Sequence, residues 1–301
     1  MKSYVTLAIC AVLTLTIGSQ AMGSNYNDVI NAEPSLLAYY TFDADTAVSG
    51  TTAIDATGNN NGSFVGDAAI VSSAGGLGNA IDLDGTNTVN IGTVPGYGAS
   101  MLSGATAEMW IKSDSDAMEV VLGRYTGNNE QQQYIRLNMD RFNFATKDGW
   151  LGVLNVFPLS SGGQMNKSGS IGSLDLTHDT WTYLAISMAY GEADGLDRFN
   201  LFVGKEGDAN VTHYSYTTTP QAKSYQYTYG PAADMLGAGM WIGAMNANGD
   251  YEDQIDEVAL YSSALTYAQA NAHFMAGVPE PSTFAMLLGM GLGLFVSRRR
   301  R

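Results

Sequence analysis

Residues 254–266 read QIDEVALYSSALT, and residues 267–277, directly after them, read YAQANAHFMAG. In the first stretch a period of two places Asp256 on one face with Val258 and Leu260, and Glu257 on the other with Ala259 and Tyr261. That spacing predicts a strand from Ile255 to Tyr261. In the second stretch Thr266 followed by Gln269 fits a capping box, and Ala270, Phe274 and Met275 form an apolar stripe on one short helix that Gly277 stops. A sheet closed by a single helix is therefore the pattern to look for upstream.

Upstream the chain is a succession of short segments with β-branched or aromatic residues between Gly, Asn and Asp clusters. They run Leu36 to Phe42, Phe64 to Val71, Ala80 to Leu83, Thr88 to Ile91, Ala105 to Ile111, Val120 to Tyr125, Tyr134 to Met139 and Phe142 to Ala145. Trp181 to Tyr190, Phe199 to Val203 and Met240 to Ala244 complete the series before Ile255. Asp84-Gly85 separates two of the strands, and Asp140-Arg141 sits at the spacing of a tight hairpin. So many strands punctuated by turns predict an all-β sandwich or barrel. No linker or repeat interrupts residues 35–277, so they read as one domain behind a lead-in at 22–34.

Composition narrows the function classes. Among 301 residues there are 14 Lys plus Arg against 29 Asp plus Glu, a formal charge of −15. A chain that repels polyanions lacks the basic footprint of a nucleic-acid binder. Charged residues are only 14%, against about 25% in ordinary globular chains, and the 35 glycines exceed the usual ~7%, a balance that suits a turn-rich extracellular β protein.

The ends carry their own signals. Lys2, the apolar run Tyr4 to Ile17 and Ser19-Gln20-Ala21 read as a secretory signal peptide over 1–21, with Met22 first in the mature chain. Cys10 lies inside that run; Ile9 is too bulky for the residue before a lipidated cysteine, so the mature chain has no thiol. At the other end Pro279-Glu280-Pro281 precedes the apolar stretch Thr283 to Val296 and four arginines, 298–301. Fourteen residues of helix span roughly 21 Å, short of the ~30 Å hydrocarbon core, so a permanent anchor would be marginal. The prolines keep the segment before it extended, and the arginines stay cytoplasmic by the positive-inside rule. Between Met22 and Val278 the net charge is 9 − 28 = −19, which favours divalent cations as well as solubility.

Two resemblances follow from these residues. The tail over 278–301 resembles the PEP-CTERM sorting signal of Gram-negative bacteria, in which Pro279, Glu280 and Pro281 would be recognised by a membrane-embedded exosortase. The resemblance implies export to the cell envelope or extracellular matrix, with transient anchoring in the inner membrane. The middle is similar to a LamG-like, concanavalin A-like lectin/glucanase domain. The residues that carry this are Tyr39 to Asp43, Asp55 to Gly62, Gly78 to Gly85, Ala107 to Lys112, Trp181 to Ala185, Trp241 to Ala244, Ile255 to Tyr261 and Ala264 to Thr266. It implies a jelly roll of two antiparallel sheets, from which residues 207–239 depart. In related sandwiches the Asp matching Asp256 helps hold a structural Ca²⁺, with the first strand's Phe-Asp and an Asn/Gly turn. Carried over, the ligands are Asp43, Asn59, Asn61 and Asp256. Asp256 capping neighbouring backbone N–H groups is the alternative. Asp82 and Asp84 share a strand face, and Asp84 fits the turn before Gly85 better than a second cation site.

Catalysis finds little support. Glycoside hydrolases of this fold carry Glu-x-Asp-x-Glu along one strand, and Glu252-Asp253-Gln254-Ile255-Asp256-Glu257 does not have that spacing. His178, His213 and His273 fall outside any His/Tyr lyase arrangement, and no Ser-His-Asp set, phosphate loop or Cys/His spacing is visible. Sugars stack on exposed aromatics, and Tyr214 with Tyr216, then Tyr225, Tyr227 and Tyr229, alternate so that each set shares a face; cross-strand packing is the competing explanation. Trp150, beside Gly149, is the best single exposed ring, whereas Trp110, Trp181 and Trp241 read as core. The expectation is a displayed sandwich that binds extracellular polysaccharide or a matrix protein without chemistry. Its rivals are a structural matrix component with no defined ligand and a polysaccharide-cleaving enzyme with an unrecognised site.

Overall fold

The computed structural model describes residues 26–278 apart from 75–76, 98–103, 114–118, 126–130, 139–140, 149–152, 157–178, 190–196, 219–238, 245–248 and 250. Sixteen strands are described. They are β1 (Leu36–Tyr40), β2 (Thr52–Ala53), β3 (Gly62–Val65), β4 (Ala69–Ser72), β5 (Asn79–Asp82), β6 (Thr88–Gly92), β7 (Ala105–Lys112) and β8 (Glu119–Tyr125). The rest are β9 (Gln131–Asn138), β10 (Arg141–Asp148), β11 (Val153–Val156), β12 (Thr182–Ala189), β13 (Asp197–Lys205), β14 (Thr212–Thr218), β15 (Met240–Ile242) and β16 (Gln254–Tyr261). One helix, α1 (Tyr267–Gly277), follows them, and a shorter helical segment at 26–31 precedes them.

The strands form a sandwich of two antiparallel sheets. Sheet A runs β14-β13-β12-β7-β16-β5-β4 with β1 also on β16, and sheet B runs β11-β10-β9-β8-β15-β6-β3-β2. Alternate residues of the two sheets face each other. Ile81, Met109, Leu184, Leu201, Val258 and Leu260 from sheet A meet Phe64, Val89, Leu122 and Ile242 from sheet B, all buried. β9 and β10 pair antiparallel as the hairpin requires, but Arg141, expected in the turn, is the first residue of β10 and stands opposite Asn138, while Asp140 lies outside the described residues.

Sheet A is covered on its other face too. Trp110, Tyr183, Phe202, Ala259 and Tyr261 point away from sheet B and are buried under α1 and residues 26–30. Phe274 of α1 stacks on Trp110 with ring centroids 5.8 Å apart, and it lies so close to Gly204 that a Cβ there would stand 2.5 Å from its ring. Burial of one such ring contributes about 1.5–3 kcal/mol. The capping box is present as predicted. Gln269 N–H donates to Thr266 Oγ1 at 3.3 Å, and Thr266 N–H to Gln269 Oε1 at 3.0 Å.

Several expectations need correction. The run Phe64 to Val71 is not one strand: it breaks at Gly66, whose φ of +78° turns the chain from β3 in sheet B to β4 in sheet A. Likewise β5 and β6, on either side of Asp84-Gly85, belong to different sheets. Met275 is 46% exposed, and His273 takes its place on the buried side of α1. Trp241 is half-buried, because its neighbours Met240 and Ile242 are the residues of β15 that face the core. The 26–31 helix was not foreseen, since Tyr26 and Ile30 alone make too short a pattern. No helix among the described residues is long and apolar enough to cross a membrane.

Candidate functional site

The strand that decides the fold also carries its least expected feature. Against β7, the register of β16 slips between Asp256 and Ala259, and Glu257 has φ +55°. On its opposite edge β16 changes partner at the same place, pairing through Gln254 and Ile255 with β5 and from Val258 onward with β1. A bulge inserts an extra residue and cancels strict alternation. Asp256 therefore does not follow Val258 and Leu260 to the inter-sheet core. It accepts a hydrogen bond from Ser73 Oγ, beside Ala74 of the outer cluster, while Glu257 accepts one from Tyr39 Oη.

Both carboxylates are fully buried. Burial pushes Asp256 well above the usual carboxylate range and the Glu257 charge pushes it further; burial does the same to Glu257, with Asp43 and Glu108 adding to it. Asp256 Oδ1 accepts the Glu257 backbone N–H at 2.8 Å, so the capping role expected as an alternative is present. Glu257 Oε1 has no hydrogen-bond partner, an oxygen that invites either a proton or a cation. Asp43 faces the same corner; its Oδ1 accepts from Asn79 N–H at 2.8 Å, and its own pKa is raised by burial.

The other two residues of the expected calcium set serve a neighbouring turn. Asn61 Oδ1 accepts from Asp55 N–H at 2.9 Å, and Asn59 N–H donates to Asp55 Oδ2 at 3.2 Å. Among the described residues no three His, Cys, Asp or Glu side chains close around one point in the manner of a metal cage. Asp43, Asp256 and Glu257 lie close enough for their charges to oppose one another, but they do not close on one point as they stand. Asp84 accepts from Thr86 N–H at 2.9 Å, as a turn residue does, and Asp82 stands near Lys112 and Gln254.

Beneath α1 a second polar line crosses the outer face. Glu108 of β7 is fully buried and accepts from Tyr183 Oη at 2.6 Å and Tyr261 Oη at 2.5 Å, and His273 Nδ1 lies 2.9 Å from its Oε2. The other imidazole nitrogen of His273 lies 3.2 Å from Glu33 Oε1, and Glu33 Oε2 accepts from Gln269 Nε2 at 2.9 Å. A His beside a Glu and two tyrosines has acid–base chemistry to offer, but His273 is 1% exposed and Glu108 not at all. Such a buried pair clamps the helix to the sheet. Burial alone would lower the His273 pKa; the charges and hydrogen bonds of Glu108 and Glu33 outweigh it, so the net shift is upward.

Of the predicted aromatic platform, Tyr214 packs half-buried against the inter-sheet core, and Tyr216 pairs by backbone register with Phe199. Trp150, Tyr225, Tyr227 and Tyr229 lie outside the described residues. A different set of rings reaches the surface. His213 of β14 stacks over buried Phe202 at 4.7 Å and 25°, and Tyr267, the first residue of α1, stands 5.9 Å from His213 and is 43% exposed. Asn200 Oδ1 lies 2.9 Å from His213 Nε2 and fixes that ring, while burial lowers the His213 pKa and keeps it neutral near pH 7. The pattern His213…Tyr267 is invisible in sequence because 53 residues separate two rings that only the docking of α1 brings together.

Comparison with known proteins identifies the tail. Residues 277–301 match the PEP-CTERM protein-sorting motif, which marks the chain for export and exosortase processing at the envelope of a Gram-negative bacterium. No curated protein matches the chain. Among solved structures it is similar to a family 54 α-L-arabinofuranosidase soaked with a cyclic sulfate inhibitor, at 12% identity and TM-score 0.55, covering 83% of this chain and 64% of that one. It is similar also to a receptor-binding domain, at 10% identity and TM-score 0.51, covering 84% and 52% of the two chains. The binding domain of Paraclostridial Mosquitocidal Protein 1 matches at 13% identity and TM-score 0.50, over 80% and 52%. This chain spans between half and two thirds of those structures, and identities this low speak for the β-sandwich fold alone.

The clamp predicts a pH dependence. His273 gains protons on folding, so its contribution is fully present below its ordinary value of 6.5 and is lost as pH rises through the raised folded value. Urea midpoints should fall across that window in the parent. In His273→Ala that His-dependent fall disappears, and the unfolding free energy at pH 6 is lower by about 3 kcal/mol, the loss from stripping a partner off a buried carboxylate. Parallel curves for the two proteins would contradict the clamp.

Proposed function

We propose that the protein is an exported, tail-processed envelope component whose sandwich binds carbohydrate without catalysis. The observation that carries this reading is the rigid ring pair His213 and Tyr267 at the surface of sheet A. A neutral imidazole seated on Phe202 and a half-exposed phenol beside it offer adjacent apolar faces for the C–H faces of a sugar, with Asn210 and Asn271 nearby to serve its hydroxyls. Asn271 Oδ1 accepts from Val211 N–H at 2.9 Å, and its Nδ2 donates to Asn210 Oδ1 at 3.3 Å, so the polar rim is held as firmly as the rings. The −19 charge of the mature chain favours neutral glycans over polyanionic ones. The similar folds, an arabinofuranosidase and two binding domains among them, accommodate either binding or catalysis.

A structural cation belongs to the same proposal. Ca²⁺ would draw Asp43 and Asp256 together with the unpartnered Glu257 oxygen, and would neutralise carboxylates that burial otherwise forces to keep protons.

On a glycan array the purified domain should retain neutral polysaccharides, and Tyr267→Ala with His213→Ala should weaken retention at least about 10-fold, since one stacked ring contributes roughly 1 kcal/mol or more. Unchanged retention in the double variant would remove this surface from the proposal, and release of reducing ends from any retained polysaccharide would turn the reading toward an enzyme. For the ion, chelator should lower the melting temperature of the parent, by the equivalent of about 2.7 kcal/mol when Ca²⁺ stands at a hundred times its Kd, and leave Asp256→Ala unmoved. Identical parent curves with chelator and with Ca²⁺ would contradict it.

A further inference from the structure

α1 ends two residues before Pro279 of the sorting motif. Val278 N–H still donates to Phe274 O at 3.0 Å, and Pro279 is the next residue. Gly277 is buried one residue earlier, and a Cβ on it would stand 2.8 Å from Trp110 Cζ2 and 3.1 Å from Tyr26 Cδ2. Tyr26 itself is fully buried, and Val278 packs against the same cluster. The last turn of α1 is thus pinned between the central strand β7 and the start of the described chain, with no spacer before Pro279-Glu280-Pro281.

Proteases act on locally opened, extended chain, and their rate on a folded protein follows the population of the open form. An enzyme that hydrolyses a peptide bond at this motif, water adding a carboxyl group to the body and leaving an amino group on the apolar tail, needs a few residues on each side of that bond laid out in its cleft. On the body side of a bond in Pro279 to Pro281 those residues reach back to Val278 and Gly277; the fold holds Gly277 in the last turn of α1 and keeps the extended Val278 against the outer cluster with its N–H on Phe274 O.

We propose that the docked last turn of α1 is a latch on processing: Gly277 and Val278 must lift off Trp110 and Tyr26 before the sorting enzyme can grip the chain at Pro279 to Pro281. Gly277 is the specificity-determining position, because its missing Cβ is what lets the turn close. The latch rests on the sorting reading of the tail and goes beyond it, since it assigns the timing of processing to residues outside the motif.

The test follows the full chain in cells that carry the sorting enzyme, with intact and processed forms separated by mass in a pulse-chase. Gly277→Ala, which wedges a methyl group against Trp110, should speed processing about 10-fold, the effect of a ~1.4 kcal/mol shift toward the open turn. A ten-residue Gly/Ser insertion between Val278 and Pro279 supplies extended chain without undocking anything. It should speed processing at least as much and abolish any further effect of Gly277→Ala. A processed parent whose rate ignores both changes, or is slowed by either, would overturn the latch. Retention of Arg301 in parent and variants alike would instead remove the processing reading on which it stands.

Discussion

Among the described residues the central strands of sheet A are covered on both faces, and most of the structure follows from that. Its inner side is closed by sheet B in the ordinary way of a sandwich. Its outer side carries Trp110, Tyr183, Tyr261 and the carboxylate of Glu108, which exposed strands would not tolerate beside so much aromatic surface. Covering them takes two separate pieces of chain, residues 26–35 and α1, taken from opposite ends. The contact of Tyr26 with Gly277 closes the layer, so the two ends of the domain are built into each other.

Charge explains why this layer is more than apolar packing. Glu108, Asp256 and Glu257 are all fully buried on or beside the outer face, and His273 is the one buried imidazole among the described residues that answers them. Glu108 is satisfied by two tyrosines and that imidazole. The Asp256–Glu257 pair is not, as the bare Glu257 oxygen shows. Removing one partner from a buried network costs far more than an exposed pair ever contributes, so the arrangement commits the helix to one seat. The same bulge that brings the two carboxylates together also hands β16 from β5 to β1, which ties the local charge problem to the topology of the sheet.

Much of this was legible in the sequence. The period-two strands and Gly/Asn/Asp turns predicted an all-β sandwich, the Thr266–Gln269 pair predicted where the helix begins, and the terminal motif predicted sorting. What escaped was whatever depended on a departure from period. Asp256 was assigned to the wrong face because a bulge leaves no mark in a run of residues that alternates without fault. Met275 and His273 exchanged roles because the helix docks on a polar spot, Glu108, that lies 165 residues away in sequence. Trp241 looked like core by residue type, and the phase of its short strand turned it outward. The surface rings were missed because exposure is decided by what packs above a strand, and that element was far away in the chain.

These observations reduce to one physical statement, that the outer layer of 26–35 and α1 is part of the cooperative fold and not an appendage to it. Native-state hydrogen exchange tests this directly, by comparing the amide of Ala270, which donates to Thr266 O at 3.0 Å, with that of Val258 in β16. The account predicts that both exchange only through global unfolding, with equal free energies and equal urea dependence. Exchange at Ala270 that is orders of magnitude faster, and indifferent to urea, would show that the sandwich stands without its outer layer and would contradict it.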